Sequence, residues 1–182
     1  MTLLQEHTEA SSGRSPAGAG ADPSGELGEA HACESHLIPL AIEAALGLGP
    51  ALTIHGADYP TPDGGCLRDF VHVCDLARAH VLALTAPLSP NGFEAINLGS
   101  GAGHSVLDVV GAIDRATGRA TPYSIGPRRE GDPAALVADP SRAGRLLGWR
   151  AEQSSLDEIV TTAMAWRKAP RFGFDRTIGA AA

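Results

Sequence analysis

The sequence predicts an α/β fold in which short strands alternate with capped helices. Apolar runs with strand character occur at 51–56, 70–73 and 93–99, and segments with helical periodicity lie between and after them. The helical segments begin at capping residues, and two of them end at a glycine. This alternation is typical of an α/β fold, and a 43% apolar composition is sufficient for a buried core.

The first predicted helix follows Ser35, a suitable N-cap residue. Pro39 falls in or near its first turn, where proline is tolerated, and Gly47 is the expected terminator. The apolar face of this helix comprises Leu37, Leu40, Ala41, Ala44 and Ala45. A strand at 51–56 and a turn-rich segment at 57–65 come next.

The segment 66–80 combines charged and apolar residues. Arg68 and Asp69 precede the strand at 70–73, and Asp75 is expected to begin a helix that reaches about Thr85. The residues expected to face inward from that helix are Leu76, Ala79, Ala83 and Leu84.

Three more helices are predicted in the second half of the chain. Their start signals are Ser105 with Asp108, Asp139 with Pro140, and Ser155 with Glu158. Gly148 is expected to end the second of these helices. The buried stripe of the last helix comprises Leu156, Ile159, Val160 and Ala163.

Composition excludes some classes of protein. The net charge of −7 argues against a general nucleic-acid binder, which normally carries a basic patch. Three cysteines without a disulfide-like framework fit a reducing compartment. No apolar stretch approaches the ~18 residues that span a bilayer, and the N-terminus does not resemble a signal peptide. We therefore expect a soluble cytoplasmic protein without a membrane partner.

Both ends of the chain differ from its centre. Residues 1–19 consist largely of small residues, glycine and proline without periodicity, and the segment 169–182 is similar. Such segments bury too little apolar surface to offset their ordering entropy, so both are predicted to be disordered tails around a domain at 20–168.

The charged pair Arg68–Asp69 has two interpretations. It is either a structural ion pair at the entrance of a strand, or a phosphate site in which Asp69 orients the planar fork of Arg68. The segment 126–136 has two similar interpretations. It is a solvated charged turn, or a nucleotide site in which an arginine binds phosphate and Asp132 accepts ribose hydroxyls.

Two other motifs are weaker. The glycines at 99, 101 and 103 follow a strand and precede a helix, but the G-x-G-x-x-G pattern of dinucleotide sites fails at His104. The segment 31–36 offers two imidazoles and a thiol without a second cluster at zinc spacing, so a surface turn is favoured over a metal site.

Taken in order, these segments resemble the C-terminal half of the UDP-glucose 4-epimerases, within the extended short-chain dehydrogenase family. The resemblance is carried by GADPSGELGE, SHLIPL, LTIHGADYPTPDGGCLRDFVHVCDLARAH, NLGSGAGHSVLDVV, PRREGDP and LGW. It implies a truncated Rossmann-type epimerase, the substrate-binding C-terminal part, whose ligand is a UDP-sugar.

The resemblance also implies roles for individual residues. His36 and Leu37 match positions that contact the nucleotide. Thr53, Ile54 and His55 match the stretch that lines the uracil, and Val106 matches a position near the nucleotide. Arg68 and Arg129 match the two arginines that bind the pyrophosphate, and Phe70 replaces the tyrosine that usually lies beside the first of these arginines. Asp132 matches the acid that binds the ribose. Leu136 falls where a residue limits the size of the sugar at carbon 2, so the acceptance of N-acetylated sugars is left open.

The family's chemistry uses NAD, which takes a hydride from carbon 4 of the sugar and returns it to the other face, aided by a Tyr-x-x-x-Lys pair. The sole lysine here, Lys168, follows Met164 by four residues, so this pair is absent from the sequence. The Phe-Asn dipeptide expected before GADPSG and the glycine-rich NAD loop are also missing. We therefore expect no catalytic residue, no NAD-binding site and no resident metal.

Three functions remain open from the sequence. The chain is the substrate half of an epimerase, a non-catalytic UDP-sugar-binding or interaction module, or a gene fragment without function. The resemblance leaves a homodimer or a separately encoded cofactor-binding half as the protein partner.

Overall fold

The computed structural model describes residues 3–5, 17–31, 33–87 and 94–171. The helices in these ranges are α1 (Leu37–Leu46), α2 (Val73–Thr85), α3 (Val106–Thr117), α4 (Ser141–Leu147) and α5 (Leu156–Lys168). The strands are β1 (Leu3–Gln5), β2 (Ala17–Ala19), β3 (Leu52–His55), β4 (Leu67–Arg68), β5 (Phe70–His72), β6 (Ala95–Asn97), β7 (His104–Ser105), β8 (Tyr123–Gly126) and β9 (Ala135–Leu136). The predicted α/β class, with short strands and helices, is confirmed.

The strands form small sheets. Three parallel pairs join β1 to β6, β2 to β5 and β3 to β8. In a fourth sheet β4 lies between β7, which is antiparallel to it, and β9, which is parallel to it. None of the helices in the described ranges combines the length and apolar character needed to cross a membrane.

Strands β1 and β2 fall in the predicted N-terminal tail, so this part of the tail differs from the prediction. Small residues carry little strand signal, but β2 has a tertiary reason to be built from them. A Cβ added to Gly18 would lie 3.1 Å from Cδ1 of Leu76 on α2. Residues 1–2, 6–16 and 172–182 of the two tails lie outside the described residues.

Helix α1 begins one residue later than predicted, because Ser35 is not its cap. His36 occupies the N-cap position without a side-chain capping bond, and the Glu34 carboxylate accepts from the backbone N–H groups of Ser35 and His36 instead. Gly47 ends the helix with a φ of 71°, the left-handed conformation that glycine adopts without strain.

Helix α2 begins at Val73, two residues before the predicted start. Its N-cap is His72, whose Nδ1 accepts from the backbone N–H of Cys74 at 3.1 Å. Asp75 is buried, and its carboxylate accepts from Ser154 Oγ and the backbone N–H of Gln153. The inward position predicted for Leu84 is wrong: this side chain is 88% exposed, and Leu82 packs against the core instead.

The remaining helix ends agree closely with prediction. Ser105 and Asp108 form the expected capping box, with each side chain accepting from the other residue's backbone N–H at 3.0 and 2.8 Å. Ser155 Oγ accepts from the N–H of Glu158 at 3.3 Å, and Gly148 ends α4.

Strand β5 separates two hydrophobic clusters. Phe70 packs into the first, which is formed mainly by α1, α3 and α5. Val71, pointing the opposite way, is fully buried in the second with Ile96, Leu98 and Trp149. Because both faces of β5 are anchored, the two charged residues immediately before it are held in place.

Candidate functional site

A cavity of about 320 Å³ lies in front of β5. Its walls come from β2, the N-terminus of α1, the segment 68–70, the segment 129–138 and the C-terminal turns of α5. The cavity therefore collects residues that are far apart in the sequence.

Seven of the residues singled out from the sequence line this cavity. They are His36, Leu37, Arg68, Phe70, Arg129, Asp132 and Leu136. The other four do not line it. Thr53 is exposed, Ile54 is buried in the first cluster, His55 lies with Nδ1 3.2 Å from the Pro127 carbonyl oxygen, and Val106 begins α3.

Arg68 is held by three hydrogen bonds. Its Nη1 donates to the carbonyl oxygens of Leu67 and Pro133 at 2.7 and 3.1 Å, and its Nη2 donates to Asp132 Oδ1 at 2.8 Å. The Arg68 side chain is 21% exposed. Within the described ranges, Nε and the second hydrogen of Nη2 have no acceptor, so the guanidinium keeps donors for a ligand.

The expected role of Asp69 in orienting Arg68 is not found. Asp69 is 3% exposed, and Arg68 forms its ion pair with Asp132 instead. Its carboxylate accepts from Ser100 Oγ and from the backbone N–H groups of Ser100, Gly101 and Ala138. The neighbouring pair is thus neither an ion pair nor a joint phosphate site, because Asp132 orients Arg68 and Asp69 fixes two loops.

The two arginines of segment 126–136 have different surroundings. Arg128 lies 4.2 Å over the Tyr59 ring, and its Nε donates to Asp58 Oδ1 at 2.6 Å. Arg129 is exposed, lines the cavity, and has no ion-pair partner in the part of the chain that the structure describes. Of the two, only Arg129 presents its charge to the cavity.

The N-terminus of α1 also opens on the cavity. No side chain caps it, and Leu37 and Ile38, its first residues, belong to the cavity wall. Free N–H groups at a helix N-terminus carry partial positive charge and favour anions. Together with Arg68 and Arg129 they give this cavity an anion-binding side in a chain of net charge −7.

Several lining residues were not singled out from the sequence. Trp166 Nε1 donates to the Glu29 carbonyl oxygen at 2.8 Å, and Arg167 pairs with Glu43 at 2.9 Å. Trp166 follows Ile159 by seven residues and so continues the predicted buried stripe of α5, a signal that the periodicity contained. The small residues of β2 carried no comparable signal.

The glycine loop before α3 is explained by packing. A Cβ on Gly99 would lie 2.4 Å from the Ala138 Cβ, and a Cβ on Gly103 would lie 2.9 Å from Val137 Cγ2. These glycines allow close approach of the chain's own segments.

Comparisons with known proteins identify similar sequences and structures. Residues 13–99 match the NAD dependent epimerase/dehydratase family, a match that begins seven residues before the predicted domain boundary. The chain is 44% identical over 156 residues to a UDP-glucose 4-epimerase of Halalkalibacterium halodurans, covering 86% of this chain and 47% of the relative. A second UDP-glucose 4-epimerase, from Azospirillum brasilense, is 45% identical over 151 residues, covering 83% of this chain and 43% of the relative. The chain thus spans about half the length of the curated relatives it matches.

Solved structures show the same partial match. The UDP-glucose 4-epimerase of Bifidobacterium longum in complex with NAD+ and UDP superimposes with a TM-score of 0.81 at 40% identity, covering 87% of this chain and 47% of that one. The UDP-glucose 4-epimerase of Brucella ovis in complex with NAD superimposes with a TM-score of 0.77 at 50% identity, covering 82% of this chain and 46% of that one. The chain is therefore similar to about half the length of these UDP-glucose 4-epimerases, and its residues 13–99 match the NAD dependent epimerase/dehydratase family.

Proposed function

We propose that the cavity binds the UDP moiety of a UDP-sugar and that the chain is the substrate-binding part of a UDP-glucose 4-epimerase. The observation that carries this proposal is the convergence of Arg68, Arg129 and the uncapped start of α1 on one cavity. A diphosphate offers oxygens that match both planar guanidinium groups and backbone N–H donors.

The proposed roles follow the cavity wall. Arg68 and Arg129 bind the pyrophosphate from two sides, and Asp132 both positions Arg68 and accepts from the ribose. His36, Leu37 and Phe70 contact the nucleotide, and Leu136 limits the sugar at carbon 2. Thr53, Ile54, His55 and Val106 remain proposed contacts that require the uracil to extend beyond this cavity.

We further propose that this chain alone does not convert the bound sugar. The hydride chemistry of the family belongs to NAD, and the glycine loop of this chain departs from the G-x-G-x-x-G pattern at His104. The sequence also contains no tyrosine four residues before its single lysine, Lys168. The residues of this chain hold and orient the substrate.

Calorimetric titration of the full chain with UDP tests the binding proposal. Wild type is expected to bind one UDP, and Arg129→Ala is expected to bind about tenfold or more weakly, since a charge-assisted hydrogen bond contributes about 1.5–3 kcal/mol. Arg119→Ala is the matched control, because Arg119 is exposed and does not line the cavity. Equal affinities of the two variants would contradict the proposed site.

The same titration separates the other functions. UDP binding without sugar conversion, even when a cofactor half is supplied, supports a non-catalytic UDP-sugar-binding module. A flat titration with folded protein supports a fragment without function.

A further inference from the structure

The rim of the cavity carries a cluster of two histidines and two glutamates. Glu29 Oε1 lies 3.0 Å from His31 Nε2 and 2.8 Å from His36 Nδ1. Glu34 Oε1 lies 2.8 Å from the same Nδ1 of His36. We propose that Glu29, His31 and His36 form a binding site for a divalent transition metal ion, with zinc as the representative ion, and that Glu34 supports the site through its contact with His36.

The hydrogen count in the cluster favours a cation. His36 Nδ1 carries at most one hydrogen, yet two carboxylate oxygens lie 2.8 Å from it. Glu29 Oε1 is in addition within hydrogen-bond distance of the second imidazole. The two carboxylates thus compete for few protons, and one dication balances both charges and accepts lone pairs from the imidazoles.

The donor set suits zinc and its neighbours in the first transition row. Imidazole nitrogen and carboxylate oxygen bind Zn²⁺ at about 2.0–2.2 Å in tetrahedral sites, which places ligand atoms about 3.3 Å apart. Donor atoms of Glu29, His31 and His36 already lie within 4.8 Å of one another. The imidazole rings are 5.0 Å apart and inclined by 44°, so modest rotations direct both toward one point.

The fold holds three of these residues in position. The Glu29 carbonyl oxygen accepts from the buried Trp166 Nε1 at 2.8 Å. Glu34 accepts from the backbone N–H groups of Ser35 and His36 at 2.8 and 2.7 Å, and His36 is the N-cap residue of α1. Ligands anchored in this way bind a metal with less loss of entropy than ligands on a free loop.

Cys33 lies in the same segment and is exposed, but its thiol is not part of the group of converging donor atoms.

Calorimetric titration of the metal-stripped full chain with zinc chloride, in the presence of a non-thiol reductant, tests the site. Wild type is expected to bind one Zn²⁺, and His31→Ala is expected to weaken this binding at least about tenfold. Cys33→Ser and His80→Ala, which remove a neighbouring thiol and an exposed imidazole on α2, are expected to keep the wild-type affinity. No binding by wild type, unchanged binding by His31→Ala, or loss in Cys33→Ser would each overturn the proposal.

The His31 variant separates the metal site from the UDP site, although His36 is proposed for both. His31 does not line the cavity, so UDP affinity of His31→Ala reports whether the fold is intact. Loss of zinc binding with unchanged UDP binding supports the metal site. Unchanged zinc binding overturns the metal site even if UDP binding is as proposed.

Discussion

At the scale of single residues, Arg68 and Asp69 show how adjacent charges serve different purposes. Arg68 lies at the cavity and is held by Asp132, while Asp69 is buried and joins three backbone N–H groups and a serine hydroxyl. The proposed ligand contact and the support of the surrounding loops are therefore divided between neighbours, so that substitutions of the two residues should have different effects.

Asp69→Ala is expected to lower the free energy of unfolding by about 3 kcal/mol, because it leaves buried donors without an acceptor. Urea denaturation measures this. The matched control is Asp157→Ala, since the Asp157–Arg115 ion pair is 69% and 63% exposed and should contribute less than about 1 kcal/mol. Similar losses in the two variants would contradict the role of Asp69.

The sequence predicted part of the candidate site. The Arg68 and Arg129 positions could be chosen because a specific motif surrounds each of them. The partner of Arg68 could not, because Asp132 is 64 residues away in the chain and Asp69 is adjacent. Contacts between distant segments depend on packing, which a local pattern does not encode.

At the scale of elements, the start of α2 depends on an imidazole in its neutral form. His72 is buried, its Nδ1 accepts from the Cys74 N–H, and its Nε2 lies 3.0 Å from Thr162 Oγ1. Protonation of Nδ1 would remove this cap. Burial lowers the pKa of His72 below its ordinary value, although Asp75 and Glu158 oppose this.

The stability contributed by neutral His72 should be lost at acid pH. Above about pH 6.5 the unfolded and folded states both hold a neutral imidazole. Below this pH the unfolded state binds the proton first. The free energy of unfolding therefore decreases as the pH is lowered, until the pH has passed the lowered pKa of His72 in the folded state. Urea denaturation at several pH values should show wild type losing its advantage over His72→Gln on acidification. A constant difference would contradict this, and His80→Gln serves as the control for loss of an imidazole from α2.

The N-terminus of α3 offers a second test at this scale. Ser105 is 1% exposed, caps α3 and also donates to Asp63. Ser105→Ala is expected to cost about 1 kcal/mol or more, since a lost N-cap alone costs about that amount. Thermal unfolding measures it against Ser124→Ala, whose serine is exposed on β8 and should be neutral. Equal melting temperatures for the two variants would show that the cap does not stabilise the fold.

At the scale of the whole molecule, a partial match to an enzyme family coexists with two buried clusters. The clusters lie on opposite faces of β5, and the cavity is lined by residues from both ends of the described chain. The chain thus has the means to build a ligand cavity from about half the length of its relatives.

The full chain with added NAD is expected to produce no UDP-glucose from UDP-galactose. The reason is that its sequence includes no Tyr-x-x-x-Lys pair. A coupled assay of UDP-glucose formation measures this, with a complete UDP-glucose 4-epimerase as the positive control. Turnover by the purified chain would show that other residues perform the chemistry.

The proposed binding of UDP between Arg68 and Arg129 can be observed in the side-chain Nε–H signals of arginine during a nuclear magnetic resonance titration. UDP is expected to shift the signals of Arg68 and Arg129 in a saturable way, while those of the exposed Arg119 and Arg150 remain unchanged. Saturation without movement of the Arg68 and Arg129 signals, or no response to UDP at all, would contradict it.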